Sequence, residues 1–160
     1  MTTAFDIYQA NLDAVSNAIL TGDLPRLRRH VAIPIMLYGP ASEVVVSSIE
    51  EMEILIADYR QELIAKGFTS YTRTCLSARF QAGRRDMILG RHSTLILAGR
   101  AEIMPAFDVD MALMRIDGAW KAIWQQVVTG DAPIEFLAAD ITEAQKKAHA
   151  AMGTERSKVR

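Results

Sequence analysis

The sequence has a single cysteine, no long apolar run and almost no net charge, and each shortage closes off a class of protein. With Cys75 alone, no disulfide can form within the chain, which fits a reducing compartment. No apolar run reaches the roughly 18 residues that a membrane span needs. The N-terminus also lacks the basic-then-apolar layout of a signal peptide. A cytoplasmic protein with no membrane partner is therefore expected. A formal net charge of −1 over 160 residues offers no wholesale attraction to nucleic acid. The basic stretches RLRR and GRRDMILGR are short, lack interleaved aromatics and read as solvated surface. The three histidines, His30, His92 and His149, show no close ligand spacing, so no metal is expected. Neither standard phosphate-binding glycine loop occurs, and no cofactor is expected. There is no Gly-x-Ser-x-Gly or Cys–His pattern, and Cys75 reads as an inert buried thiol.

What is present is a well-punctuated series of amphipathic segments. In residues 3–22, Phe5, Tyr8, Leu12, Val15 and Ile19 recur at helical spacing, with Thr3 as a cap, Asp6 in the first turn and Gly22 as a left-handed stop. Asp23 and Pro25 open a short second helix, LPRLRRHV, which Pro34 is expected to end. IPIMLYGP then reads as extended and EVVV as a short strand. Ser48 and Glu51 form a capping-box pattern ahead of a longer helix with the stripe Met52, Leu55, Ile56, Tyr59 and Leu63, closed by Gly67. Beyond Gly67 the period falls to two. Strands are expected at about 69–81, 86–98, 106–116 and 119–128. Asp117–Gly118 between the last two is a hairpin signal. The remaining residues turn helical and then polar.

This order predicts an α+β domain: a curved antiparallel meander with N-terminal helices and one long helix packed on its concave face. The stretch LTGDLPRLRRHV leading into IMLYGP, together with MRIDGAWKAIW at the last hairpin, resembles the NTF2-like, or SnoaL-like, superfamily. The resemblance covers about residues 5–128. It implies a cone with a pocket at its wide end over residues 1–130, with 131–160 as a helical tail of the same domain. It also implies a homodimer through the outer sheet face, which would account for last strands that are apolar on both faces. The superfamily hosts enzymes and plain binding domains alike, so the fold alone assigns no reaction.

Comparison with the ketosteroid isomerases of that superfamily narrows the chemistry. Their proton-shuttling aspartate corresponds to Gly39 here, and their second essential acid to Ala112, so that chemistry is not expected. If Ala112 faces the pocket, strand parity turns Asp108, Asp110 and Met114 the same way. Trp124 matches a pocket-facing aromatic of the family, and Trp120 shares its parity. Tyr38 adjoins the position of the missing base, and Tyr59 would lie at the pocket floor. The expected ligand-binding set is thus Tyr38, Tyr59, Asp110, Ala112, Met114, Trp120 and Trp124. Weak catalytic candidates are Asp110, Asp108 and His92, the one histidine inside a strand pattern. A plainer reading pairs the aspartates across the hairpin. A tight turn at Gly99–Arg100 would set Arg91 opposite Asp108, and a shifted register would set His92 opposite Asp110. The leading functional expectation is a pocket for a small apolar molecule. The rivals are an isomerase, dehydratase or cyclase using carboxylate acid–base chemistry, and a protein-assembly module.

Overall fold

The computed structural model describes residues 2–39, 43–128 and 150. The expected C-terminal tail lies outside the described residues, Ala150 excepted. The first helix, α1, runs Ala4–Thr21. Thr3 and Asp6 close a reciprocal capping box at its start, and Gly22 (φ 79°) ends it in the left-handed conformation. Leu24–Arg29 form a 3-10 helix. Pro34 does not end that helix, as the sequence suggested. It lies within strand β1 (Val31–Tyr38), after a cis Ile33–Pro34 peptide. The chain is already extended before it, as the residue preceding a proline prefers.

Strand β2 (Glu43–Val46) returns antiparallel to β1. Helix α2 spans Ile49–Ala65, with the Ser48 hydroxyl accepting from the Glu51 amide. Then come β3 (Ser70–Phe80), β4 (Met87–Ala98), the two-residue β5 (Ala101–Glu102), β6 (Phe107–Ile116) and β7 (Ala119–Val127). The four long strands fall within a residue or two of the expected bounds. Asp117 and Gly118 both take positive φ, as a two-residue hairpin turn requires.

The sheet order is β2-β1-β7-β6-β4-β3, with β5 paired to β4. The sheet is curved and unclosed. All neighbours are antiparallel except β1 and β7, which run parallel, so the sheet is mixed rather than wholly antiparallel. Helix α1 lies along the concave face, where Tyr8, Leu12, Val15 and Ile19 join Ile88, Ile96, Met111 and Leu113 in the main core. The Gln9 carboxamide fixes its position on edge strand β3, donating to the Arg73 carbonyl (2.9 Å) and accepting from the Cys75 amide (2.7 Å). A second apolar cluster, including Met36, Leu89, Ala112, Met114 and Trp124, occupies the opposite face and is buried within the single chain. Helix α2 covers the remaining opening. It buries only Met52 and Leu63 fully, while Ile54 and Leu55 stay exposed.

Candidate functional site

Between α1, α2, β1–β2 and the concave sheet face lies a cavity of about 370 Å³. Its walls are mainly aliphatic: Val15 and Ile19 from α1, Ile35 and Val46 from the β1–β2 pair, Met52 and Ile56 from α2. Tyr38, Val44 and Leu55 stand at its rim, where Val44 and Leu55 are exposed. Polar groups come chiefly from β3 and β4, where Tyr71, Arg73, His92 and Thr94 share one face by strand parity.

His92 is 1% exposed. Its Nδ1 sits 2.7 Å from the Tyr8 hydroxyl, and its Nε2 is buried without a hydrogen-bond partner. Tyr8 reaches it because Gly90, two residues earlier on β4, leaves room for the phenol ring to lie on the sheet. A Cβ at Gly90 would stand 2.5 Å from Tyr8 Cε2 and 2.7 Å from the Ser77 carbonyl oxygen. Burial pushes the Tyr8 phenol well above its ordinary range, so it remains a protonated donor. Burial, reinforced by the nearby Arg73 charge, pushes the His92 imidazole down to about 3. At neutral pH the pair is therefore uncharged.

That shift has a consequence for stability. In the unfolded chain His92 titrates near 6.5. Below that pH the unfolded state takes up a proton that the folded state refuses until about pH 3. The stabilisation is complete above pH 6.5 and is lost as pH falls. The slope is about 1.4 kcal/mol per pH unit, so moving from pH 7 to pH 5 is expected to remove about 2 kcal/mol through this group. Urea unfolding of the wild type and His92→Gln across that window tests it. Equal pH dependence in the two would show that His92 is not the group responsible.

Arg73 is 6% exposed, and its Nε donates to Ser16 Oγ at 2.9 Å and an Nη to the Leu12 carbonyl at 3.3 Å. Burial lowers the pKa of its guanidinium. Such a group nevertheless stays protonated at any physiological pH. Tyr59 of α2 meets Tyr71 of β3 hydroxyl to hydroxyl at 3.2 Å, which ties the covering helix to the sheet. Burial raises the pKa of Tyr59.

Of the residues expected at the site, Tyr38, Tyr59 and His92 line this cavity. Asp108, Asp110, Ala112, Met114, Trp120 and Trp124 do not. The expected parity of β6 is reversed: Phe107 and Val109 face the cavity, while Ala112 and Met114 belong to the opposite-face cluster. Asp110 lies on that far face too, held by Arg91 in a two-pronged contact of 2.6 and 3.0 Å. The register explains this. The tight turn does pair Ala98 with Ala101 and Leu97 with Glu102. The 103–106 stretch then inserts a two-residue offset, and β4–β6 pairing sets Arg91 opposite Asp110, His92 opposite Val109 and Ser93 opposite Asp108. Neither expected pairing, Arg91 with Asp108 or His92 with Asp110, is the one formed. The two tryptophans also part company. An extra residue, Ile123, bulges β7 between the pairs Leu113–Ala122 and Ala112–Trp124. Trp120 consequently packs towards the main core, beside Phe80, and Trp124 into the opposite cluster, where its ring meets Tyr38.

Sequence reasoning missed Tyr8, Arg73 and Gly90 as site residues. Tyr8 was read only as part of a helix stripe. Arg73 did carry a signal, since a cation stands between Tyr71 and Cys75 on the inward parity of β3. Gly90 carried another, because a glycine inside a strand pattern marks a close approach. Among the described residues, no group of three His, Cys, Asp or Glu side chains is placed to hold a metal ion.

With its helices against a curved, unclosed mixed sheet, the chain has the NTF2-like fold. It aligns with an NTF2-like protein of unknown function from Shewanella oneidensis MR-1 at a TM-score of 0.59 and 13% identity, covering 76% of this chain and 96% of that one. It aligns with an NTF2-like family protein from Streptomyces avermitilis, provisionally described as a dehydratase, at 0.56 and 15%, covering 79% and 97%. A cystatin-like-fold protein of unknown function from Nostoc punctiforme aligns at 0.59 and 15%, covering 83% and 98%. The sequence matches no protein-family model and no curated protein. At these identities the likeness establishes the fold. Among the described residues no helix is long and apolar enough to cross a membrane.

Proposed function

We propose that this chain is a receptor for a small, largely apolar molecule held in the cavity beneath α2. The observation that carries this reading is the cavity itself. Its volume of about 370 Å³ falls within the range of roughly 300–1,000 Å³ typical of ligand sites, and its walls are mostly aliphatic with a few convergent polar groups. Acid–base catalysis by carboxylates has less support, because no aspartate or glutamate among the described residues lines the cavity. His92 is the cavity's own acid–base group, and this favours a second reading as an enzyme. However, an imidazole held at about 3 is a weak base at neutral pH, where general bases work best with a pKa near the operating pH. Binding therefore stands ahead of catalysis. The homodimer and the assembly module, both suggested by the apolar outer face, also carry less weight. The side chains that suggested them are already buried within one chain.

The test uses a neutral apolar fluorophore, N-phenyl-1-naphthylamine. It is expected to bind with a stoichiometry of about one per chain. Val46→Phe, which puts a ring into the cavity, is expected to weaken binding about tenfold or more by overlap with the ligand, while circular dichroism is unchanged. Val15→Phe serves the same purpose from α1. Equal binding by wild type and both variants would place the fluorophore elsewhere and sink the receptor reading.

A further inference from the structure

We infer that the cavity's ligand is a carboxylic acid with an apolar body, its carboxylate received by Arg73 and hydrogen-bonded by His92. This deepens the receptor reading and rests on it. Arg73 is the sole charged residue among the described residues lining the cavity. It is buried, and no carboxylate among the described residues lies within 4.0 Å of it. Its hydrogen bonds go to neutral oxygens, the Ser16 hydroxyl and the Leu12 carbonyl. Asp13 of α1 acts on it only at longer range. Taking a cation out of water without an anion is costly, and proteins ordinarily pair such a group. Here the missing partner is an anion that the cavity has room to admit.

A second, independent observation points to the same spot. His92 Nε2 is buried and unpartnered on a side chain that lines the same cavity. The β3–β4 register sets Arg73 opposite Thr94, and His92 lies two residues from Thr94 on the same face. In the tautomer where the Tyr8 hydroxyl donates to Nδ1, the neutral ring carries its proton on Nε2 and has an N–H to offer the ligand. The head of the site is thus one fixed cation and one neutral donor against a wall that is otherwise uncharged among the described residues. That set suits a monoanion. A planar carboxylate also matches the guanidinium fork. A dianionic phosphate would bring a surplus charge into a low-dielectric site where no second cation among the described residues meets it.

The experiment compares octanoate, octan-1-ol, octylammonium and octyl phosphate as displacers of bound N-phenyl-1-naphthylamine from the full chain. Octanoate is expected to displace it at a concentration at least about tenfold lower than octanol, the arithmetic of one charge-assisted contact. In Arg73→Met this advantage is expected to fall to about twofold or less, with the unliganded melting temperature unchanged or higher. A merely structural arginine would instead lower the melting temperature and leave the ratio alone. The wild-type comparison needs no variant, so it decides the question even if Arg73→Met fails to fold. Octanol matching octanoate, or octylammonium or octyl phosphate surpassing it, overturns the carboxylate inference and leaves the receptor standing. Displacement by none of the four also overturns the carboxylate inference, while the receptor reading stands or falls on fluorophore binding by Val46→Phe and Val15→Phe.

Discussion

Asp110→Ala is expected to destabilise the fold by about 3 kcal/mol while leaving cavity binding intact. The Asp110 and Arg91 side chains are only 7% and 15% exposed, and both contacts between them are hydrogen-bond length. Removing one member of such a pair takes the closest partner from the other charge, at a cost of about 3–5 kcal/mol for fully buried cases. Arg91 keeps some solvent, which sets the expectation at the lower end. For a chain of this size that is a fall of roughly 6–12 °C in melting temperature. The double variant Asp110→Leu with Arg91→Met removes both charges together. It is expected to recover most of the loss, because an apolar pair leaves nothing unpaired. Calorimetric melting of the wild type, Asp110→Leu, Arg91→Met and the double variant gives the coupling between the two sites. Additive losses would show that the pair does not act as a unit. A drop in fluorophore affinity in Asp110→Ala, measured well below its melting temperature, would return Asp110 to the functional site.

Gly90→Ala is expected to cost about 3 kcal/mol, a large effect for one methyl group. The added Cβ meets the Tyr8 ring and the Ser77 backbone oxygen at once. The backbone oxygen cannot swing away as a flexible side chain would. Overpacking of this kind costs about 1–3 kcal/mol. Displacing Tyr8 also leaves His92 Nδ1 buried without its partner, a further penalty of about 1–3 kcal/mol. Tyr8→Leu removes the ring, so the double variant should be more stable than the sum of the two single losses predicts. Urea denaturation of the cycle measures this. Strict additivity would mean that the ring and Gly90 do not share the space the geometry gives them.

These two sites show where sequence reasoning holds and where it stops. The element order was legible because each element carries its own signal. Thr3 and Asp6 cap α1, Ser48 caps α2, and the Asp117–Gly118 turn and the period-two strands depend on neighbours a few residues away. The α+β class follows from that order. Tyr38, Tyr59 and His92 could be placed beside a cavity because the fold brings the first extended segment, the long helix and the middle strand to one end.

The direction in which β6 faces was not local information. Parity says that Asp108, Asp110 and Ala112 share a side, and they do. Which side is inward depends on where α1 lies and on how β4 and β6 are registered. The register depends in turn on the offset after β5, and the bulge at Ile123 splits Trp120 from Trp124. A single shift in pairing exchanges core for surface along a whole strand. The sequence by itself determined the elements, their order and the residues that share a face. The tertiary structure alone decided which face met the cavity. It set Asp110 against Arg91 and brought Tyr8, Arg73 and His92 together, because contacts between distant strands are fixed by packing and register rather than by spacing along the chain.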